Sequence, residues 1–369
     1  MDRNKLTRIE IAGFKSIKDV KFDLHSMNVL IGANGSGKSN FVSFFKLLNS
    51  MIPNEMQTYV GAAGGASSLL YYGSDLTPQL QATLYFECKQ RKNAYHMRLV
   101  HAAPDTLMFA DESIYYLGKG YVKPKIEQLG AGHKETALPE FAAKGDVTAR
   151  TVRYILNQCR VFQFHDTSEN ARIRKAGYIE DNRNLRLDGG NLAAFLYMLK
   201  ETKADYYRSI VETVHQVAPF FGNFDLHPRM TDPQNIILNW YEQGSQYLFG
   251  PHQLSDGTLR AMALITLLLQ PELPDIIILD EPELGLHPYA LNILASLLRS
   301  ASKSTQVILA TQSALLVDQF EPEDVVVVKR QGPESAFQRL DSQALAEWLK
   351  EYSLSELWEK NVLGGVPGA

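Results

Sequence analysis

The chain has 369 residues, 45% hydrophobic and 21% charged, which fits a folded globular protein and excludes a largely disordered or fibrous one. At this length the expectation is one large α/β domain with a substantial insertion, or two domains. The 37 Lys and Arg against 41 Asp and Glu give a net charge of −4, so no uniform positive field draws nucleic acid to the surface, and such contact needs a local basic patch.

Cys88 and Cys159 stand far apart and nine histidines are scattered, a pattern that suggests neither a disulfide framework nor a structural zinc site. No apolar run reaches the roughly 20 residues of a membrane span. The opening MDRNKLTRIEIAGF alternates instead of building a leader core. The expected compartment is the reducing cytoplasm.

In chain order, LTRIEI (6–11) and VKFDL (20–24) alternate apolar and polar residues and predict an antiparallel hairpin. MNVLIG (27–32) reads as a buried strand, and the glycine-rich ANGSGKSN leads into a helical FVSFFKLLNSM. Between 80 and 118 the segments ATLYFE, AYHMRLVH, TLMFAD and SIYYLG predict four short antiparallel strands, and 119–146 reads as loop. Helices are expected at 147–158, 191–201 and 204–217, and strands at QNIILNWYE and QYLFG. The final third alternates: helix 257–269, strand 275–280, helix 289–301, then strands 306–310 and 324–329, which implies a parallel sheet with helical cover. Without sustained heptads, no coiled-coil arm is expected.

Gly32-Ala33-Asn34-Gly35-Ser36-Gly37-Lys38-Ser39 satisfies GxxxxGK[ST] between a buried strand and a helix. Glycines let backbone N–H groups wrap a polyphosphate, Lys38 reaches its terminal oxygens, and the Ser39 hydroxyl can ligate Mg²⁺. Asp275–Pro282 is an apolar strand that delivers Asp280 and Glu281 at its carboxyl end, where open α/β sheets bind ligands. Asp280 suits the magnesium shell, and Glu281 suits orienting or deprotonating the attacking water. Leu254-Ser255-Asp256-Gly257-Thr258 offers a serine and free N–H groups ahead of an apolar helix.

Together, GANGSGKSN, LSDGTLR, DEPELGLHP and ATQS resemble an ABC-type ATPase of the RecF/SMC/OLD-like branch, and more narrowly the compact bacterial "predicted ATPase" group among AAA-type ATPases. The segments FQFHDTS (162–168) and LRLDGGNLAAFL (185–196) extend the likeness over nearly the whole chain. The resemblance implies an α/β P-loop NTPase, an ABC ATPase head with a RecA-like parallel-sheet lobe, an antiparallel β lobe and a helical signature lobe. In that organisation 1–369 is one head. Residues 1–50 carry the hairpin, Walker A strand and helix, 51–160 the antiparallel lobe, and 161–253 a Q-loop-like segment and helical lobe. Residues 254–330 hold the signature, Walker B, D-loop and switch, and 331–369 form a tail.

The resemblance further implies ATP and Mg²⁺ as ligands. Gly32, Asn34, Gly35, Ser36, Gly37, Lys38, Ser39 and Asn40 would hold the nucleotide. Ser255 and Gly257 would reach the γ-phosphate held by a second copy, so that two chains sandwich two ATP molecules. By chain order Gln163 would be the Q-loop glutamine, near nucleotide and metal. Gln312 stands where many relatives have histidine, so a neutral amide would sense the γ-phosphate or water. His287 reads equally as a D-loop variant and as a helix-start residue. Phe14, Lys15 and Ser16 would line the adenine and ribose by the same analogy.

Arg172, Arg174, Lys175, Arg183 and Arg186 form the densest basic stretch, open to nucleic-acid phosphates or to a solvated face. The doublets Tyr71-Tyr72, Tyr115-Tyr116 and Tyr206-Tyr207 read better as packing than as base-stacking platforms. The favoured expectation is a Mg²⁺-dependent ATPase whose ATP-driven homodimerisation works as a clamp or switch in DNA maintenance or phage defence. It would act on a separately encoded effector, since the tail carries no nuclease-like acid cluster. The alternatives are the ATPase subunit of a membrane transporter and a non-hydrolysing ATP sensor.

Overall fold

The computed structural model describes residues 3–88, 91–118, 123–228 and 231–365. The chain opens with β1 (Lys5–Phe14), β2 (Ile17–Asp23) and β3 (Met27–Ile31), then α1 (Lys38–Met51) and α2 (Met56–Ala62). Next come β4 (Gln79–Cys88), β5 (Arg91–Ala102), β6 (Thr106–Leu117), β7 (Lys125–Gly130), α3 (Leu138–Ala143), α4 (Val147–Gln158) and β8 (Cys159–Phe162). The middle holds β9 (Gly177–Tyr178), α5 (Leu192–Thr202), α6 (Ala204–Val217), β10 (Phe221–Asp225), β11 (Asn235–Ile236), β12 (Asn239–Glu242) and β13 (Leu248–Phe249). The last third is α7 (Asp256–Leu269), β14 (Ile276–Asp280), α8 (Pro288–Ser302), β15 (Gln306–Ala310), α9 (Ala314–Val317), β16 (Val325–Gln331), β17 (Glu334–Arg339), α10 (Ser342–Leu345) and α11 (Leu354–Glu359).

One six-stranded sheet runs β17-β16-β3-β15-β14-β8, parallel apart from the β17 edge. The other is antiparallel, in the order β2-β1-β4-β5-β6-β7. Side-chain alternation sets the layers. Val29 and Ile31 of β3, Ile277 and Leu279 of β14, and Val307 and Leu309 of β15 pack with α5, α6 and α7 on one face. Leu30, Ile276, Ile278 and Ile308 point to the other face, where α1, α4 and the antiparallel sheet close the core. Both faces of the parallel sheet are therefore covered, which is why its strands read as unbroken apolar runs. The longest described helix, α8, has 15 residues, and among the described residues no helix is long and apolar enough to cross a membrane.

Three expectations are corrected. TLMFAD and SIYYLG form one continuous strand, β6, with a register shift opposite Arg98 and Leu99. The stretch read as loop from 119 contains β7 and α3, its residues 119–122 lying outside the described residues. QNIILNWYE is broken into the two-residue β11 and the four-residue β12.

Candidate nucleotide site

The site is built where β3, β14 and β15 end side by side. After Ile31 the chain turns through Gly32 (φ +154°), where an added Cβ would lie 2.1 Å from the Val328 carbonyl oxygen. Gly37 (φ +118°) has the same constraint, its Cβ position 2.2 Å from Ser335 Oγ. Gly37 is also the N-cap of α1 and brings no side-chain cap. The first-turn N–H groups of α1 have no intrahelical partner and carry the positive end of the helix dipole, which suits a phosphate.

Around this loop the packing is tight. Ser335 Oγ donates to the Ser36 carbonyl at 2.6 Å, and Asn40 Nδ2 donates to Ser16 Oγ at 2.7 Å. Ala33 N–H donates to the Gly365 carbonyl at 2.9 Å. Lys38 Nζ donates to the carbonyls of Gly32 and Ala33 at 2.6 and 3.1 Å. Burial lowers the Lys38 pKa, while Glu281, Asp280 and Glu283 pull it back up. That ammonium, held over its own loop and facing three carboxylates, is placed to exchange backbone oxygens for phosphate oxygens.

Ser39 Oγ donates to Asp280 Oδ1 at 3.4 Å. Burial and then the Glu281 charge raise the Asp280 pKa, against the pull of Lys46, His165 and the Ser39 hydrogen bond. A hydroxyl and a desolvated carboxylate facing each other are hard oxygen donors of the kind magnesium takes when phosphate oxygens complete its shell. Among the described residues no group of three His, Cys, Asp or Glu side chains forms a cation cage.

Glu281 adopts φ +42°, strained for a residue with a side chain. Its N–H donates to the Ala310 carbonyl at 2.7 Å, and Gln312 Nε2 donates to its Oε1. A cavity of about 130 Å³ is lined by Asn34, Gly35, Gly37, Lys38, Ser39, Asn40, Glu281 and Gln312. Phosphate loop, acidic residue and switch amide thus share one space.

Gln163 lies just beyond β8, whose Phe162 is in register with Leu279, and its N–H donates to the Leu187 carbonyl at 2.8 Å. It does not line the cavity. His165 instead touches Walker B, its Nε2 donating to the Asp280 carbonyl at 2.7 Å. Ser255 is exposed and caps α7, accepting from Thr258 N–H at 3.1 Å. Gly257 has a packing reason to be glycine, because a Cβ there would lie 2.1 Å from the Gly285 carbonyl oxygen. His287 caps α8 by accepting from Tyr289 N–H at 3.2 Å, which is the helix-start role.

Phe14 is fully buried against Phe44, ring centroids 5.7 Å apart, so the expectation that it lines an adenine is corrected. Ser16 is buried as well and serves Asn40 and Ser335. In the basic stretch Arg174 is buried, whereas Arg172, Arg186 and Lys175 are exposed and meet Asp188, Asp181 and Asn170 at the surface. Arg183 is exposed. Of the tyrosines, Tyr71 and Tyr207 are buried, which supports packing for one member of two of the three doublets, while Tyr115 and Tyr116 are half-buried.

Three further residues shape the site. Arg174 donates to the carbonyls of Thr167, Pro251 and Leu254 and to Asp256 Oδ1, fastening the signature loop to the segment after β8. Arg260 donates to the carbonyls of His165 and Leu284 and to Thr167 Oγ1. Glu283 Oε1 accepts from Thr311 Oγ1 at 2.5 Å and from Gln312 N–H at 2.9 Å. The third acid of DEPELGLHP was the available signal for Glu283; the arginine contacts have no local signature.

Residues 5–113 match the family described as "AAA ATPase domain", and residues 139–318 match "AAA domain, putative AbiEii toxin, Type IV TA system". No curated protein matches the sequence. Among solved structures the chain is similar to an Smc head bound to the C-winged helix domain of ScpA, at 15% identity over 93% of this chain and 99% of that one, TM-score 0.57. An Smc head with an extended coiled coil, bound to the C-terminal domain of ScpA and derived from Pyrococcus furiosus, gives 15% identity, 94% and 99% coverage, and a TM-score of 0.57. The Smc head with a coiled coil and joint from Pyrococcus yayanosii gives 12%, 94%, 99% and 0.53. The fold is that of the matched Smc heads, and both family matches are to ATPase domains, which together support a P-loop ATPase.

Proposed function

We propose that the chain is a Mg²⁺-dependent ATP hydrolase whose ATP-bound heads pair and act as a clamp or switch on a separately encoded effector. The observation that carries this reading is the cavity in which Lys38, Ser39, Glu281 and Gln312 meet. Ser39 and Asp280 would hold the metal beside the phosphates, and the metal would neutralise charge on the transferred group. Glu281, with one oxygen engaged by Gln312, keeps its other oxygen for the attacking water. Ser255 would act on the nucleotide of a second copy, in keeping with its exposure and its absence from the cavity of its own chain.

A defence setting is favoured over a transporter because the family description fitting residues 139–318 names a toxin of a toxin–antitoxin system. The ScpA-bound state of the matched Smc heads supports a separate protein partner. The burial of Arg174 takes one residue of the basic stretch out of any nucleic-acid contact, whereas Arg172, Lys175, Arg183 and Arg186 remain exposed.

Steady-state phosphate release and light scattering test the proposal. Wild type should release phosphate only with Mg²⁺. Glu281→Gln should bind ATP, stop releasing phosphate and double its mass. ATP binding without turnover by wild type would establish the sensor reading instead, and a monomeric Glu281→Gln protein in ATP would remove the paired-head mechanism.

A further inference from the structure

Glu281 and Gln312 leave the sheet from two different strands. The β14–β15 ladder ends with Asp280 opposite Ala310, and the last backbone tie is from Glu281 N–H to the Ala310 carbonyl. Beyond it Thr311 N–H turns the other way and donates to the Leu30 carbonyl of β3. The ladder itself therefore does not set where the Gln312 amide points. Two contacts cross the gap back to the Walker B turn: Gln312 Nε2 to Glu281, and the double acceptance by Glu283 Oε1 from Thr311 Oγ1 and Gln312 N–H.

We propose that Glu283 is a positioning residue for hydrolysis: it fixes the Thr311–Gln312 turn and so aims the Gln312 amide at Glu281. The inference rests on the ATPase reading above. A packing role alone does not call for a carboxylate here. Thr311 is fully buried, and Glu283 Oε2 is buried with no hydrogen-bond partner among the described residues, an arrangement that costs stability. What Glu283 supplies is one acceptor oxygen, reaching from the Walker B turn, that ties two consecutive groups, Thr311 Oγ1 and Gln312 N–H. Such fixing matters most at a reacting group, where a displacement of about 1 Å lowers the rate by about 100-fold.

The test separates turnover from binding. Glu283→Ala should lower kcat by about 100-fold while the ATP dissociation constant stays within about threefold, as expected when only the geometry of the reacting groups is lost. Glu283→Gln keeps an acceptor oxygen and should recover most of that loss. On a Gln312→Ala background, Glu283→Ala should add little, because the two act as one unit. A full further loss on that background would overturn the proposal. So would a parallel fall in ATP affinity and kcat that Glu283→Gln does not relieve. An active wild type with an equally active Glu283→Ala protein removes this inference alone, whereas a wild type without phosphate release removes the ATPase reading and this inference with it.

Discussion

Arg174 Nη2 donates to Asp256 Oδ1 at 2.7 Å across 82 residues of chain, and the same guanidinium serves the carbonyls of Thr167, Pro251 and Leu254. The arginine side chain is buried, while that of Asp256 is 61% exposed, so the two ends of this ion pair are unequal. Arg174→Met takes a donor from three carbonyls, of which, among the described residues, only that of Pro251 keeps another donor, Leu254 N–H, and should destabilise the protein by about 3 kcal/mol. Asp256→Asn keeps an acceptor oxygen at an exposed site and should change stability by about 1 kcal/mol or less. Denaturant unfolding of both variants checks the order; equal losses would mean that the carboxylate, not the carbonyls, is what Arg174 serves.

Ser255 and Gly257 sit two residues apart and should fail differently. Gly257→Ala pushes a methyl group against the Gly285 carbonyl, so the ligand-free monomer should lose several degrees of thermal midpoint. Ser255→Asp retains an N-cap for α7 but sets a carboxylate where the partner's γ-phosphate would lie. Its midpoint should match wild type while ATP no longer doubles its mass in light scattering.

Phe14 gives a short test of packing against ligand contact. Phe14→Ala removes a fully buried ring from the cluster around Phe44 and Phe45, at about 3–5 kcal/mol. Phe14→Leu, which refills most of the space, should bind ATP as wild type does. A selective loss of adenine-nucleotide affinity in Phe14→Leu would return the ring to the base-binding role.

What the sequence made legible was local in the chain. The P-loop, the acidic strand end and the helix starts each occupy a handful of consecutive residues, and unbroken apolar runs mark β14 and β15 directly. What stayed hidden depends on distant partners. Asp111 and Glu112 look like a break in β6, yet Glu112 is fully buried because Tyr95, Thr136, His133 and the Ala137 N–H all donate to it. A carboxylate satisfied in that way behaves as core. β7 escaped notice for the opposite reason: Leu129 is its one buried residue, so no alternation marks it. In sequence Arg174 is one of a run of basic residues, and nothing nearby reveals that Pro251, Leu254 and Asp256 fold over it.

Asp280 should trade stability for chemistry. Burial and the Glu281 charge raise its pKa above 3.8 in the folded chain. As pH rises through 3.8 the unfolded chain releases this proton first, so the native state then binds more protons and its stability falls until pH passes the raised folded-state value. The penalty is fully present above that value and absent at pH below 3.8. Asp280→Asn keeps an oxygen for Ser39 Oγ and removes the buried charge. In the ligand-free protein its thermal midpoint should exceed that of wild type at neutral pH, with the gap closing as pH falls through the ordinary carboxylate range. Mg²⁺ with ATP should reverse the order, because a ligand stabilises only in proportion to its affinity for the folded state and the variant has lost a carboxylate toward the cation. A ligand-free wild type more stable than Asp280→Asn at neutral pH would mean that Ser39, Lys46 and His165 already compensate the charge, and that the metal is not needed to relieve it.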